Sequence, residues 1–182
     1  GGAPGAGGGD GADEASGKPR NPTSSFYGID TNSRRVLFVV DISKSMEEPA
    51  VARPPTVTAG KDGFDAPKGN AKIDVAKWQL HRAVAALPKD ALFNVVVFSE
   101  SYRSWQPAMV EASPAARAKA HAFVDGLKPN GTTNIADSLD EAFDLAGAGP
   151  LAVPAKGAKG GLAVDTVFLL SDGSPNRGGL SD

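Results

Sequence analysis

Asp41-Ile42-Ser43-Lys44-Ser45 sets one carboxylate and two hydroxyls at alternating positions, directly after the apolar run Val-Leu-Phe-Val-Val at 36–40. Side chains at i, i+2 and i+4 of an extended segment point to the same side. Read as a buried parallel strand that ends in a loop, the stretch turns Asp41, Ser43 and Ser45 toward one point beyond the strand end. Three hard oxygen donors facing one point suit a hard cation such as Mg²⁺, which prefers oxygen and keeps some of its waters.

Two later segments supply further donors. Gly131-Thr132-Thr133-Asn134 puts hydroxyls in a turn ahead of a helix, and the apolar run Val-Phe-Leu-Leu at 167–170 leads through Ser171 to a second strand-end carboxylate, Asp172. This ordered set resembles the von Willebrand factor type A (VWA) family, whose metal-ion-dependent adhesion site is written D-x-S-x-S, then T, then D. The resemblance implies that Asp41, Ser43 and Ser45 form the first element, Thr133 the threonine and Asp172 the last carboxylate. Thr132 stands where the family usually has a second Gly, so either threonine could be the ligand; the offset to Asn134 favours Thr133. Lys44 stands where many members have Gly and would put a positive charge near the cation.

The function implied by the resemblance is binding rather than catalysis. Hydroxyls in direct contact leave a divalent ion much of its charge, and an Asp or Glu from a protein partner completes its coordination. Mg²⁺ is the expected ion, with Mn²⁺ or Ca²⁺ as substitutes. Without a cation, Asp41 and Asp172 on adjacent strands would repel. A scaffold subunit of a ring-ATPase assembly would use the same site with another partner. A metal-dependent phosphohydrolase is the less favoured alternative, because such enzymes place a second carboxylate where Ser43 stands. No Walker A motif, G-x-S-x-G elbow or H-E-x-x-H motif occurs in the chain.

Composition narrows the classes further. The 182 residues are 41% hydrophobic and carry 19 basic and 21 acidic side chains, a net charge of -2. That is enough chain for one domain with a core, and no basic stripe marks a nucleic-acid footprint. The absence of cysteine excludes disulfides, zinc thiolates and cysteine nucleophiles. No apolar run approaches the roughly 18 residues that span a membrane. The wording of the motifs leans toward the bacterial, exported or membrane-tethered members of the family.

The elements that must position the site follow from periodicity. Residues 1–25 read as a Gly/Ala/Pro-rich linker, and Phe26-Tyr27-Gly28-Ile29 as an apolar lead-in to a domain at 26–182. Strands are expected at 36–41, 93–98 and 165–171, with an edge strand within 101–110. Helices are expected at 71–87, from the Ser113-Pro114 start to near Gly126, and at 134–146. The Pro- and Gly-rich segment 47–70 reads as an insertion at the rim of the site, and 147–163 as a Gly-rich loop. The order argues for an α/β fold with a mostly parallel sheet and one antiparallel edge strand, matching the Rossmann-like three-layer sandwich of the family. Ligands of such sheets bind beyond the carboxyl ends of the strands, where Asp41 and Asp172 are both placed.

Family domains continue past the second carboxylate with further helices and two more strands. The expectation is therefore a fragment whose strand at 165–171 leaves an apolar edge open to association. His81 and His121 fall in helical stretches with no paired base or nucleophile evident. Trp78 and Trp105 read as packing residues. Asp137, Asp140, Glu141 and Asp144 read as a solvent-facing acidic face.

Overall fold

The computed structural model describes residues 24–27, 29–51, 63, 64, 66–134, 139, 140, 144 and 164–172. Most of the expected linker, the middle of the insertion, most of the helix expected at 134–146 and the Gly-rich loop lie outside these residues.

The described chain begins with a hairpin of β1 (Ser24–Phe26) and β2 (Ile29–Thr31), paired antiparallel. Tyr27 in its two-residue turn has φ 52, the left-handed backbone that such tight hairpin turns require. Phe26, read as part of an apolar lead-in, belongs to the core itself. It is 3% exposed and packs its ring 5.4 Å from both Phe38 and Phe168.

β3 (Arg35–Asp41) buries every residue after Arg35. A strand buried on both faces needs apolar side chains throughout, and the run at 36–40 supplies them. A single turn of 3-10 helix (Lys44–Glu47) follows, then α1 (Lys72–Ala86). The Asp74 carboxylate accepts from Ala71 N–H and so caps the start of α1. α1 buries Ile73, Ala76, Leu80, Ala83 and Val84 against Val36, Phe38 and Val40. Of the segment 47–70, Pro49 bridges to Ala71, Phe64 stacks on His81 and Lys68 pairs with Asp125. Its described parts thus fold back on the helices.

β4 (Leu92–Phe98) lies parallel to β3, with Asp41 opposite Phe98. The expected edge strand is two short pieces, β5 (Tyr102–Ser104) and β6 (Val110–Glu111), both antiparallel to β4. The break has a visible cause. Buried Asn94 donates to the carbonyls of Gln106 (2.7 Å) and Ala108 (3.1 Å) and accepts from Gln106 N–H (3.2 Å). Its side chain thus takes the place of the ladder across the Pro107 loop.

α2 (Pro114–Asp125) starts at Ser113, whose Oγ accepts from Ala116 N–H, and ends at Gly126. Leu139, Asp140 and Asp144 are helical; Asp140 faces solvent, whereas Asp144 is half-buried. β7 (Thr166–Leu170) completes the sheet parallel to β3, giving the order β5-β4-β3-β7. The fold is the mostly parallel α/β arrangement expected. Among the described residues β7 pairs with β3 alone, and its Val167 and Leu169 are exposed. α1 and α2 share one face of the sheet, and Leu37, Val39, Val96 and Phe98 form a second buried cluster on the other.

Candidate metal centre

Asp41 is the last residue of β3 and is fully buried. Both its oxygens have partners: Oδ1 accepts from Ser43 N–H (2.7 Å) and Oδ2 from the Ser171 hydroxyl (2.9 Å). The first bond closes an Asx-type turn on the residue two ahead. The chain does not stay extended through Ser45, as the alternating pattern assumed. Ser43 is extended (φ -64, ψ 165), and the 3-10 turn begins at Lys44. The turn nevertheless brings Ser43 Oγ and Ser45 Oγ to 3.1 Å, and Ser45 Oγ donates to Asp172 Oδ1 at 3.0 Å. Asp41, Ser43, Ser45 and Asp172 thus form one hydrogen-bonded line across the ends of β3 and β7.

The threonine turn is tied to the same place through backbone. Lys44 N–H donates to Gly131 O (3.0 Å), Asn130 N–H to Ile42 O (2.8 Å) and Asn134 N–H to Ser99 O (2.7 Å). Gly131 has φ +61, the left-handed backbone that favours glycine, and a Cβ there would meet the Glu100 side chain at 2.7 Å. Thr133 is buried, whereas Thr132 is less so and its Oγ1 donates to Glu100 Oε1 at 3.4 Å.

The main residue missed in the sequence is Lys72. Its ammonium sits 2.8 Å from Asp172 Oδ2 and 2.7 Å from Glu48 Oε2. Hydrogen bonds to Asp172 and then Glu48 raise its pKa above the usual lysine value. Lys44, between Ser43 and Ser45, is exposed, and its N–H is bonded to the Gly131 carbonyl. A signal for Lys72 was present. A lysine in the first turn of a helix opposes the helix dipole, which is tolerable where carboxylates from elsewhere hold it. Ser171 was also missed; it was legible only as the neighbour of Asp172.

A divalent cation fits this donor set. Asp41, Ser43, Ser45 and Asp172, which the side-chain bonds bring together, are all hard oxygen donors, and no imidazole or thioether is among them; Thr133 is joined to them through the backbone of its turn and by no side-chain bond among those described. Among the described residues, no three His, Cys, Asp or Glu side chains group as a metal site.

The two histidines, read from the sequence as unpaired, are partners. His81 Nδ1 and His121 Nδ1 lie 2.9 Å apart, and His81 Nε2 is 3.3 Å from Asp125 Oδ1. With the Nε2 proton of His81 directed at Asp125, its Nδ1 is left to accept from His121. Burial lowers the pKa of both rings. The helices that carry the two rings were legible in the sequence, but their packing against each other was not.

A family profile described as von Willebrand factor type A domain matches residues 65–180. Inter-alpha-trypsin inhibitor heavy chain H1 of Bos taurus is 25% identical over 146 residues, 80% of this chain and 13% of its own length. Heavy chain H4 of Homo sapiens is 28% identical over 154 residues, again 13% of its length. This chain therefore spans only a small part of these relatives. A solved structure titled von Willebrand factor type A from Catenulispora acidiphila aligns with 28% identity and a TM-score of 0.47, covering 66% of this chain and 25% of that one.

Proposed function

The chain belongs to the von Willebrand factor type A domain family, typically a protein-interaction module, and we propose that it binds a protein partner through a divalent cation held by Asp41, Ser43, Ser45, Thr133 and Asp172. The observation that carries this reading is the hydrogen-bonded line from Asp41 through Ser43 and Ser45 to Asp172. It joins residues up to 131 positions apart in sequence (172 - 41) at the carboxyl end of a mostly parallel sheet, the place where such sheets bind ligands. Thr133 is buried in the turn between Asn130 and Asn134, whose N–H groups donate to the carbonyls of Ile42 and Ser99, and that burial supports Thr133 over Thr132 as the fifth donor.

When bound, Mg²⁺ supplies a fixed positive charge on which an Asp or Glu of the partner closes. The chain's own residues do the rest. Ser43 N–H and Ser171 orient Asp41, Ser45 orients Asp172, and the turn at Gly131 sets Thr133. Asp172 already holds an ammonium, which supports its readiness to face a cation.

Isothermal titration with Mg²⁺ and Mn²⁺, comparing the wild type with Asp41→Asn, tests the reading. Binding by the wild type that is lost in the variant is expected. Equal heats from both proteins would sink it. No helix among the described residues is long and apolar enough to cross a membrane.

A further inference from the structure

A second polar cleft of about 350 Å³ opens beside the candidate metal centre. Its walls include Ile42, Ser101, Tyr102, Arg103, Lys128 and Asn130. Ile42 lies between Asp41 and Ser43, and its carbonyl accepts from Asn130 N–H at 2.8 Å. The cleft and the metal centre therefore share one loop at the carboxyl end of β3.

Among the described residues the charge of this cleft has one sign: Arg103 and Lys128 line it, and no carboxylate does. Glu100, a carboxylate in the adjoining loop, is directed at Thr132 and the Gly131 turn instead. Arg103 has no carboxylate within ion-pair distance among the described residues, yet it is not loose. Its guanidinium lies over the Phe123 ring at 5.0 Å, held there by α2. A guanidinium fixed in this way is pre-organised for a planar anion. Ser99 Oγ donates to Asn130 Oδ1 at 2.7 Å, and the Asn130 amide also carries two N–H donors at the cleft wall. Serine and tyrosine hydroxyls add further donors.

We propose that this cleft is an anion subsite that seats a second acidic side chain of the partner segment whose first carboxylate meets the metal. The inference rests on the function proposed above and adds the partner's chemistry: a segment with two carboxylates close in sequence, one on the cation and one between Arg103 and Lys128. Two cations with no carboxylate in ion-pair distance among the described residues attract such a segment and disfavour a neutral or basic one.

The probe is a fluorescein-labelled hexaglutamate peptide, followed by anisotropy in saturating Mg²⁺ and in EDTA, with hexaglutamine as the uncharged control. The variant is the double charge reversal Arg103→Glu, Lys128→Glu, whose positions are exposed. The expected result is Mg²⁺-dependent binding of hexaglutamate by the wild type, weakened about tenfold or more by the reversal. The thermal shift of the variant with Mg²⁺ stays as in the wild type. Unchanged peptide affinity in the reversal, or no binding of hexaglutamate by the wild type, overturns the subsite. Should the reversal abolish binding while neither EDTA nor Asp41→Asn has any effect, the cleft stands and the metal reading falls. Should Asp41→Asn abolish binding while the reversal leaves it intact, the metal reading stands and the cleft falls.

Discussion

The ammonium of Lys72 bridges Asp172 Oδ2 (2.8 Å) and Glu48 Oε2 (2.7 Å), so a carboxylate assigned to a metal already holds a cation from the first turn of α1. Lys72 is largely covered, and Asp172 more so, with side-chain exposures of 23% and 11%.

Lys72→Met should act in opposite directions in the two states of the site. Without metal it leaves Asp172 facing Ser45 alone and costs about 1–2 kcal/mol, as expected for breaking a half-buried charged hydrogen bond. With Mg²⁺ present the ion no longer competes with a tethered ammonium, so its affinity rises. Thermal melts in EDTA and titration calorimetry with Mg²⁺ check both halves. A variant with weaker Mg²⁺ binding would show that Lys72 supports the site rather than occupying it.

The histidine pair makes stability depend on pH. Burial holds the pKa of His81 and His121 below the usual value of about 6.5. Below that pH the unfolded chain therefore binds more protons than the folded one, and stability falls as pH drops from about 6.5 toward the folded pKa values. Asp125 titrates elsewhere. Its pKa is lowered, chiefly by the Lys68 hydrogen bond, so its contribution is lost only below the ordinary carboxylate range. Denaturant titrations between about pH 5 and 7 should show a slope that flattens in His121→Gln. An identical slope in that variant would assign the dependence to other groups.

Arg117 of α2 caps the end of α1. It donates to the carbonyls of Ala85 (3.0 Å), Leu87 (2.6 Å) and, in its own loop, Ala112 (2.9 Å). Those carbonyls at the end of α1 have no partner further along the helix, and a cation there also suits the dipole. Arg117→Met should cost about 3 kcal/mol, within the range for losing charged hydrogen bonds to buried carbonyls. Arg117→Lys should recover part of it. Equal losses in both variants, read from urea midpoints, would point to packing of the side chain instead.

Phe26 ties the lead-in hairpin to the sheet centre through Phe38 and Phe168. Phe26→Ala should cost about 3–5 kcal/mol, the usual range for a buried aromatic. Phe26→Leu should cost markedly less. A loss below about 1 kcal/mol in urea denaturation would mean that the hairpin is dispensable for the core.

Much of the fold was legible in the chain because its signals are local. The apolar run at 36–40 fits a strand buried on both faces, the 3.6-residue spacing from Ile73 to Val84 fits a core-facing helix, and Ser113-Pro114 marks a helix start whether or not the rest is known. The donor types of the candidate site were legible for the same reason: Asp41, Ser43 and Ser45 lie within five residues, and Asp172 ends an apolar strand. Tertiary structure decided what depends on elements far apart in sequence. After Asp41 it set a 3-10 turn in place of the expected alternation, with Lys44 N–H bonded to the Gly131 carbonyl and Ser45 Oγ to Asp172. It broke the edge strand through Asn94, paired His81 with His121 across two helices, and carried Lys72 to Asp172 across 100 residues. Periodicity reports which face of an element is buried. It does not report which side chain of another element waits there.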